Sequence, residues 1–378
     1  MRLPPATFVY AALTLAFVAG CGSDARPAAG SEATAYSAQL LMVSSPGVEF
    51  TQIGAVEADS RGRVYVTDLP NTLRVLDQAG NQVRTIGRSG GGPGEYNRIS
   101  ELQLLRGDTL MVFDPFLTRA TFYGLDQPKP SRTHGVKFGT GEHTVRLFRF
   151  DDGTFVGHFR GIMGPDYRDP AVRPEFLRIL DTDGELTGSP LTLRPPEVFS
   201  LPDGEGMTYG FPRFARRTLV HFGRDRIYTL WTDSTALRVF DRGGRLVSTI
   251  ELRVPITRTP ISTALYDTVA AGIGSPSIRP TVRSLLESRW RTWPLFEGFL
   301  LDDQDGIWVK PTSRAGPNRW YRLAGDGRVV GHITLPDRAI PRLIKHGRIH
   351  CVMIDENDVQ TLATYAIVRP TSTSGEQK

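Results

Sequence analysis

Cysteine is nearly absent from this sequence: 378 residues carry only Cys21 and Cys351. A disulfide-stapled scaffold is thereby excluded, and the fold must be held by its core. Lysine is almost as scarce, confined to positions 129, 137, 310, 345 and 378, so arginine supplies nearly all the positive charge behind a net +5. A basic excess can favour phosphate-rich surfaces. No basic run with interleaved aromatics is present, however, and nucleic acid is not an expected partner. After Val18 no apolar run approaches the roughly 20 residues that a membrane-spanning helix needs. The seven histidines are scattered, without the spacing of a zinc site. His346 and His350 are four apart, but Gly347 and a predicted strand intervene, so they share no helical face. No cofactor is expected from these patterns.

The chain opens with Arg2, an apolar stretch from Phe8 to Val18, and then Val18-Ala19-Gly20-Cys21. A basic start, a short apolar stretch and small residues at a cleavage point predict a signal peptide over residues 1–20. Small residues followed at once by Cys resemble the bacterial lipobox, in which Cys21 is the site of lipid attachment. That resemblance implies three acyl chains, and more than one chain holds firmly because each buried methylene contributes about 0.8 kcal/mol. It also implies an outer-membrane destination, since Gly22 and not Asp follows the Cys. With Cys21 acylated, Cys351 has no disulfide partner. Residues 21–36 are rich in small, polar, Pro and Gly residues and read as a flexible tether.

Laid on itself, the chain repeats. Leu73-Arg74-Val75-Leu76-Asp77-Gln78-Ala79-Gly80 aligns with Leu237-Arg238-Val239-Phe240-Asp241-Arg242-Gly243-Gly244. Arg178–Gly184 is a third copy and Tyr321–Gly327 a weaker fourth. Alternating apolar and β-branched residues make a half-buried strand. The Asp then accepts backbone amides and the Gly supplies a positive φ, so the chain reverses as a hairpin. Upstream sits a second hairpin, at Asp59–Gly62, Gly107-Asp108, Asp152-Gly153, Asp225, Asp303–Gly306 and Gly347. Six upstream hairpins, with two hairpins to a unit, predict an all-β fold of six four-stranded blades, a six-bladed β-propeller over residues 37–370. A short polar tail, residues 371–378, is expected to be disordered.

In Asp68–Phe122, and above all in Gly87-Arg88-Ser89-Gly90-Gly91-Gly92-Pro93-Gly94-Glu95-Tyr96, the sequence resembles the bacterial six-bladed NHL-like β-propeller lipoproteins. A Gly-rich loop ending in Gly-Pro-Gly-Glu-aromatic between the first two blades recurs in that family. The ring is expected to close by pairing Gln39–Val43 with the last blade near Leu362 to Val368, which removes an exposed sheet edge. Between Pro255 and Pro294 the strand pattern stops. Ser262–Ala271 and Pro280–Trp290 carry apolar residues at helical spacing, so a helical insertion over 255–294 is expected between blades 4 and 5.

Chemistry is harder to find. Gly87-Arg88-Ser89-Gly90-Gly91 fits G-x-S-x-G, but a nucleophile elbow must open a helix, and Gly92-Pro93-Gly94 follows instead. The same glycines lack the Lys and Ser or Thr of a phosphate loop. Asp181–Gly184 and Asp303–Gly306 resemble parts of calcium loops without the remaining ligands, and read as turns. A channel metal, as in lactonase-type six-bladed enzymes, would draw on Glu57, Glu101, Gln103, His221 and Glu297. Arg146, Arg149 and Arg342 nearby would repel a cation. The expected function is a non-catalytic binding or scaffold module, anchored at the cell envelope, for a protein or polymer partner. Its candidate contacts are Tyr167, Arg168, Phe199, Trp290 and Trp293. The competing expectation is a metal-dependent hydrolase or lyase acting through the channel.

Overall fold

The computed structural model describes residues 33–370 apart from 128, 138–141, 162–172, 204–205, 274 and 315. The leader, Cys21 and the tail 371–378 lie outside this range, as do Tyr167 and Arg168.

The first strand, β1 (Thr34–Val43), belongs spatially to the end of the chain. Blade 1 then runs from the axis outward as β2 (Ile53–Ala58), β3 (Val64–Asp68), β4 (Thr72–Leu76) and β5 (Gln82–Ile86). Blade 2 is β6 (Glu101–Leu105), β7 (Thr109–Asp114), β8 (Arg119–Gly124) and β9 (Arg132–Gly135). Blade 3 is β10 (Glu142–Arg149), β11 (Phe155–Gly161), β12 (Glu175–Leu180) and β13 (Leu186–Leu193). A separate hairpin, β14 (Phe199–Asp203) with β15 (Gly206–Gly210), precedes blade 4. That blade is β16 (Thr218–Phe222), β17 (Arg226–Trp231), β18 (Ala236–Asp241) and β19 (Leu246–Glu251). Two helices follow, α1 (Thr263–Ala271) and α2 (Arg279–Arg289), joined through a 3-10 turn. Blade 5 is β20 (Phe296–Leu301), β21 (Ile307–Pro311), β22 (Asn318–Leu323) and β23 (Val329–Leu335). Blade 6 is β24 (Ala339–Lys345), β25 (Arg348–Ile354) and β26 (Gln360–Val368), with β1 as its outermost strand.

The closure pairs Gln39 with Ala366, Leu40 with Tyr365 and Val43 with Ala363, in the region the sequence indicated. The strand begins earlier than expected. Thr34, Ala35 and Tyr36 lie within the span read as tether, yet they pair in parallel with Gly331, His332 and Ile333 of β23. Tyr36 packs near Trp308, with ring centroids 6.1 Å apart, which gives this stretch a reason to stay on the sheet.

A blade alone cannot hide both faces, and the core shows how neighbours solve this. Each of six apolar clusters is built by two adjacent blades. Tyr65, Leu73 and Val75 of blade 1 meet Leu102, Leu110 and Val112 of blade 2. Corresponding clusters join blades 2 and 3, 3 and 4, 4 and 5, 5 and 6, and 6 and 1. A seventh cluster lies apart from the ring: Phe199 and Phe214 packed with Tyr266, Val282, Leu286, Trp290 and Trp293. The helical insertion thus builds its core jointly with the hairpin that precedes blade 4.

Candidate functional site

Antiparallel order places the start of every innermost strand, and the turn between second and third strands, at one end of the ring. The tight turns that follow the innermost strands lie at the other end. Both irregular additions, the β14–β15 hairpin and the two helices, interrupt connections that lead into an innermost strand. They therefore belong to the first end, the one where loops can vary without breaking a blade.

At that end lies a cavity of about 1010 Å³. Its wall is formed where β2, β6 and β10 begin, by the β7–β8 turn, and by Arg342 of β24. Two carboxylates line it, and both are already engaged. Glu101 Oε2 accepts from Arg146 Nε at 2.5 Å, and Arg146 also donates to the Val220 carbonyl at 2.9 Å. Glu142 accepts from the Arg178 fork, with Nε at 2.9 Å. Three further arginines line the cavity: Arg98, Arg173 and Arg342. Among the described residues none of the three has an ion pair. Arg173 Nε is buried without a hydrogen-bond partner among them. Arg342 is exposed, yet desolvation by the surrounding cavity walls lowers its guanidinium from the ordinary value, though it stays a cation near neutrality. His143 is lowered too, first by burial and then by Arg160 and Arg173, so its imidazole is neutral at pH 7. Phe116, 70% exposed, stands at the edge of the cavity. The outcome is a roomy, electropositive hollow with an apolar lip.

The five residues considered for a channel metal are not brought together. Glu57 Oε1 accepts from Lys345 Nζ at 2.7 Å, while its Oε2 accepts from Leu104 N at 3.0 Å, so it ties blade 1 to both neighbours. Gln103 bonds the Arg149 amide at 2.8 Å and its carbonyl at 2.7 Å, tying blade 2 to blade 3. Glu297 pairs with Lys310 at 2.8 Å. His221 packs edge-to-face on Phe299 with centroids 4.6 Å apart. Burial, then the Arg146 charge, pushes its pKa down to about 3. A divalent ion would have to displace these cations and backbone partners one by one. Among the described residues, no group of three or more His, Cys, Asp or Glu could hold a metal. The set does not fit a metal; its members are cross-links between and within blades.

Phe199, Trp290 and Trp293, proposed from sequence as partner contacts, are 1%, 0% and 8% exposed. Trp290 Nε1 donates to Glu197 Oε2 at 2.6 Å, and its ring meets Phe214 edge-on. These side chains belong to the core of the insertion; Phe199 and Trp290 offer no face to a partner, and Trp293 shows only a small part of its ring, in a hollow beside Arg314. Sequence reasoning passed over Arg98, Arg173 and Phe116. Each sits in an irregular loop with no periodicity to mark it, and Arg342 was weighed only as a charge that repels cations.

The Gly-rich loop behaves as its residues imply. Glu95 Oε2 accepts the Gly92 amide at 2.8 Å, Arg88 Nε donates to Glu95 Oε1 at 2.8 Å, and no helix follows Ser89. Tyr96 is fully buried, its hydroxyl 2.7 Å from that of Tyr123. No helix among the described residues is long and apolar enough to cross a membrane.

Comparison with solved structures gives several matches of low identity. One is a protein inferred to be exported from Bacteroides fragilis NCTC 9343, 10% identical, with a TM-score of 0.49, covering 88% of this chain and 94% of that one. Another is a DUF4221-family member from Bacteroides vulgatus, also 10% identical with a TM-score of 0.49, covering 90% and 98%. A luciferin-regenerating enzyme is 9% identical, with a TM-score of 0.44, covering 86% and 94%. The search of curated proteins gave no match. The family model described as DUF5128, 6-bladed beta-propeller, matches residues 42–161, from the closing strand through the first half of blade 3. With six interblade cores and a ring closed by β1, the chain is a six-bladed β-propeller.

Proposed function

We propose that this protein is a non-catalytic binding module of the cell envelope, held to the outer membrane through acylated Cys21, and that its binding site is the cavity where the chain enters the innermost strands. The lipobox resemblance ending in Cys21 supports the anchor, the Gly22 that follows supports the outer membrane, and the hollow supports the site. Its volume is that of a pocket able to take a drug-sized molecule or one or two units of a polymer. Its walls are the fixed ends of strands, which suits recognition without rearrangement. The carrying observation is the cavity itself: about 1010 Å³, lined by arginines that have no ion pair among the described residues and edged by exposed Phe116.

Two experiments test this reading. Radiolabelled palmitate is expected in the wild-type protein and not in Cys21→Ser. A photo-crosslinking residue at position 116 is expected to capture a defined envelope component in intact cells, while one at Arg106, beyond the far end of β6, captures none. Equal capture at both positions would remove the cavity from the proposal.

A further inference from the structure

We propose that the ligand of this cavity is a polyanion, a polymer whose repeating units carry carboxylate or phosphate groups; this rests on the cavity being the binding site. The argument is one of unbalanced charge. Every carboxylate lining the cavity is committed to an arginine, Glu101 to Arg146 and Glu142 to Arg178. Arg98, Arg173 and Arg342, one each from blades 2, 3 and 6, are left without an ion pair among the described residues.

The pattern continues beyond the cavity. At the same end of the ring, a smaller hollow of about 190 Å³ lies where blades 4 and 5 begin, lined by Arg213, Arg217 and Arg314 and by one carboxylate, Glu297, which pairs with Lys310. Arg213 and Arg217 have no ion pair among the described residues. Arg314 reaches Glu297 only at 3.9 Å and lies over the Trp293 ring, 4.3 Å from its centroid. Unpaired guanidinium groups are thus spread over several blades on one end of the molecule. A single small anion could satisfy one group of them. A chain of regularly spaced anions could satisfy both hollows, and guanidinium forks match carboxylate and phosphate oxygens in bidentate pairs.

The test uses the full-length Cys21→Ser chain and calorimetric titration with three probes: an oligogalacturonate, a poly(glycerol phosphate) and neutral maltohexaose. Binding of one or both polyanions is expected, none of maltohexaose, and the affinity should fall steeply as NaCl rises. Binding of the carboxylate probe alone identifies an acidic glycan, and of the phosphate probe alone a phosphopolymer. The Arg98→Gln/Arg342→Gln double variant should bind at least about tenfold more weakly with unchanged thermal stability, since both side chains are exposed. Arg106→Ala, at the opposite end, should bind as wild type. Failure of both polyanions to bind, or undiminished binding by the double variant, overturns the inference. If a partner is still captured at position 116 in that case, the binding-module reading stands and only the polyanion is lost. If nothing is captured either, both fall.

Discussion

At Asp302 one carboxylate accepts the amides of Gln304 and Gly306, at 3.0 and 2.7 Å, and the indole N–H of Trp308 at 3.1 Å. Asp59, Asp77, Asp181 and Asp355 bond backbone amides in the same way two and four residues on. The Asp302 and Asp59 turns are each tied to the core by a buried ring, Trp308 and Tyr65, whereas the exposed Asp77 turn has no such bond. Asp302→Ala should therefore cost about 2–3 kcal/mol and Asp77→Ala about 1, in urea denaturation. A second residue-scale consequence concerns pH. His350 is buried, and burial, followed by the charges of Arg348, His346 and Lys345, pushes its pKa down to about 4. In the unfolded chain it titrates near 6.5. Between those values the unfolded state binds the proton and the folded state does not, so stability falls as pH drops from about 6.5 to about 4, by at most about 1.4 kcal/mol per unit. His350→Gln should flatten that part of the stability profile.

Among the elements, the outer turns do more than reverse the chain. Gly327, in the β22–β23 turn, has φ +81° and packs against the end of β19 in the preceding blade, where Arg253 N donates to its carbonyl at 2.9 Å. Gly184 and Gly80 receive the same bond from Lys137 and Ser45. A Cβ at Gly327 would collide with the Glu251 carbonyl, in addition to the strain of its positive φ. Gly107 has φ +74° but open space around it. Thermal denaturation should separate the two effects. Gly107→Ala is expected to cost about 1 kcal/mol and Gly327→Ala about 2 or more, because only the latter disturbs a contact between blades.

For the whole molecule, six shared cores predict that no blade unfolds alone. Cys351 reports on this. It is fully buried in β25, and burial pushes its thiol up to about 12, so the thiolate needed for reaction is suppressed. In the Cys21→Ser chain, a thiol reagent should not label the native protein, and labelling should appear in urea together with loss of the sheet signal. Labelling well below that transition would show blade 6 opening independently. Blade number, both sets of hairpins, the closing strand and the helical insertion were legible in the residues, because period-2 alternation and Asp-Gly turns are local. The candidate site was not. Glu57 reads as an available ligand until Lys345, 288 residues away, is found bonded to it. Trp290 reads as a candidate contact until Phe214 and Glu197 are found against it.

The sequence by itself determined a closed ring of antiparallel blades, since each strand and turn is specified within about a dozen residues and the repeat then leaves one way to bury every face. Only the tertiary structure decided which charges stay unpaired. Several of the neutralising pairs bridge blades, Glu57 with Lys345 and Glu101 with Arg146 among them, and the arginines left without an ion pair among the described residues at one end of the channel emerge only once those pairs have formed.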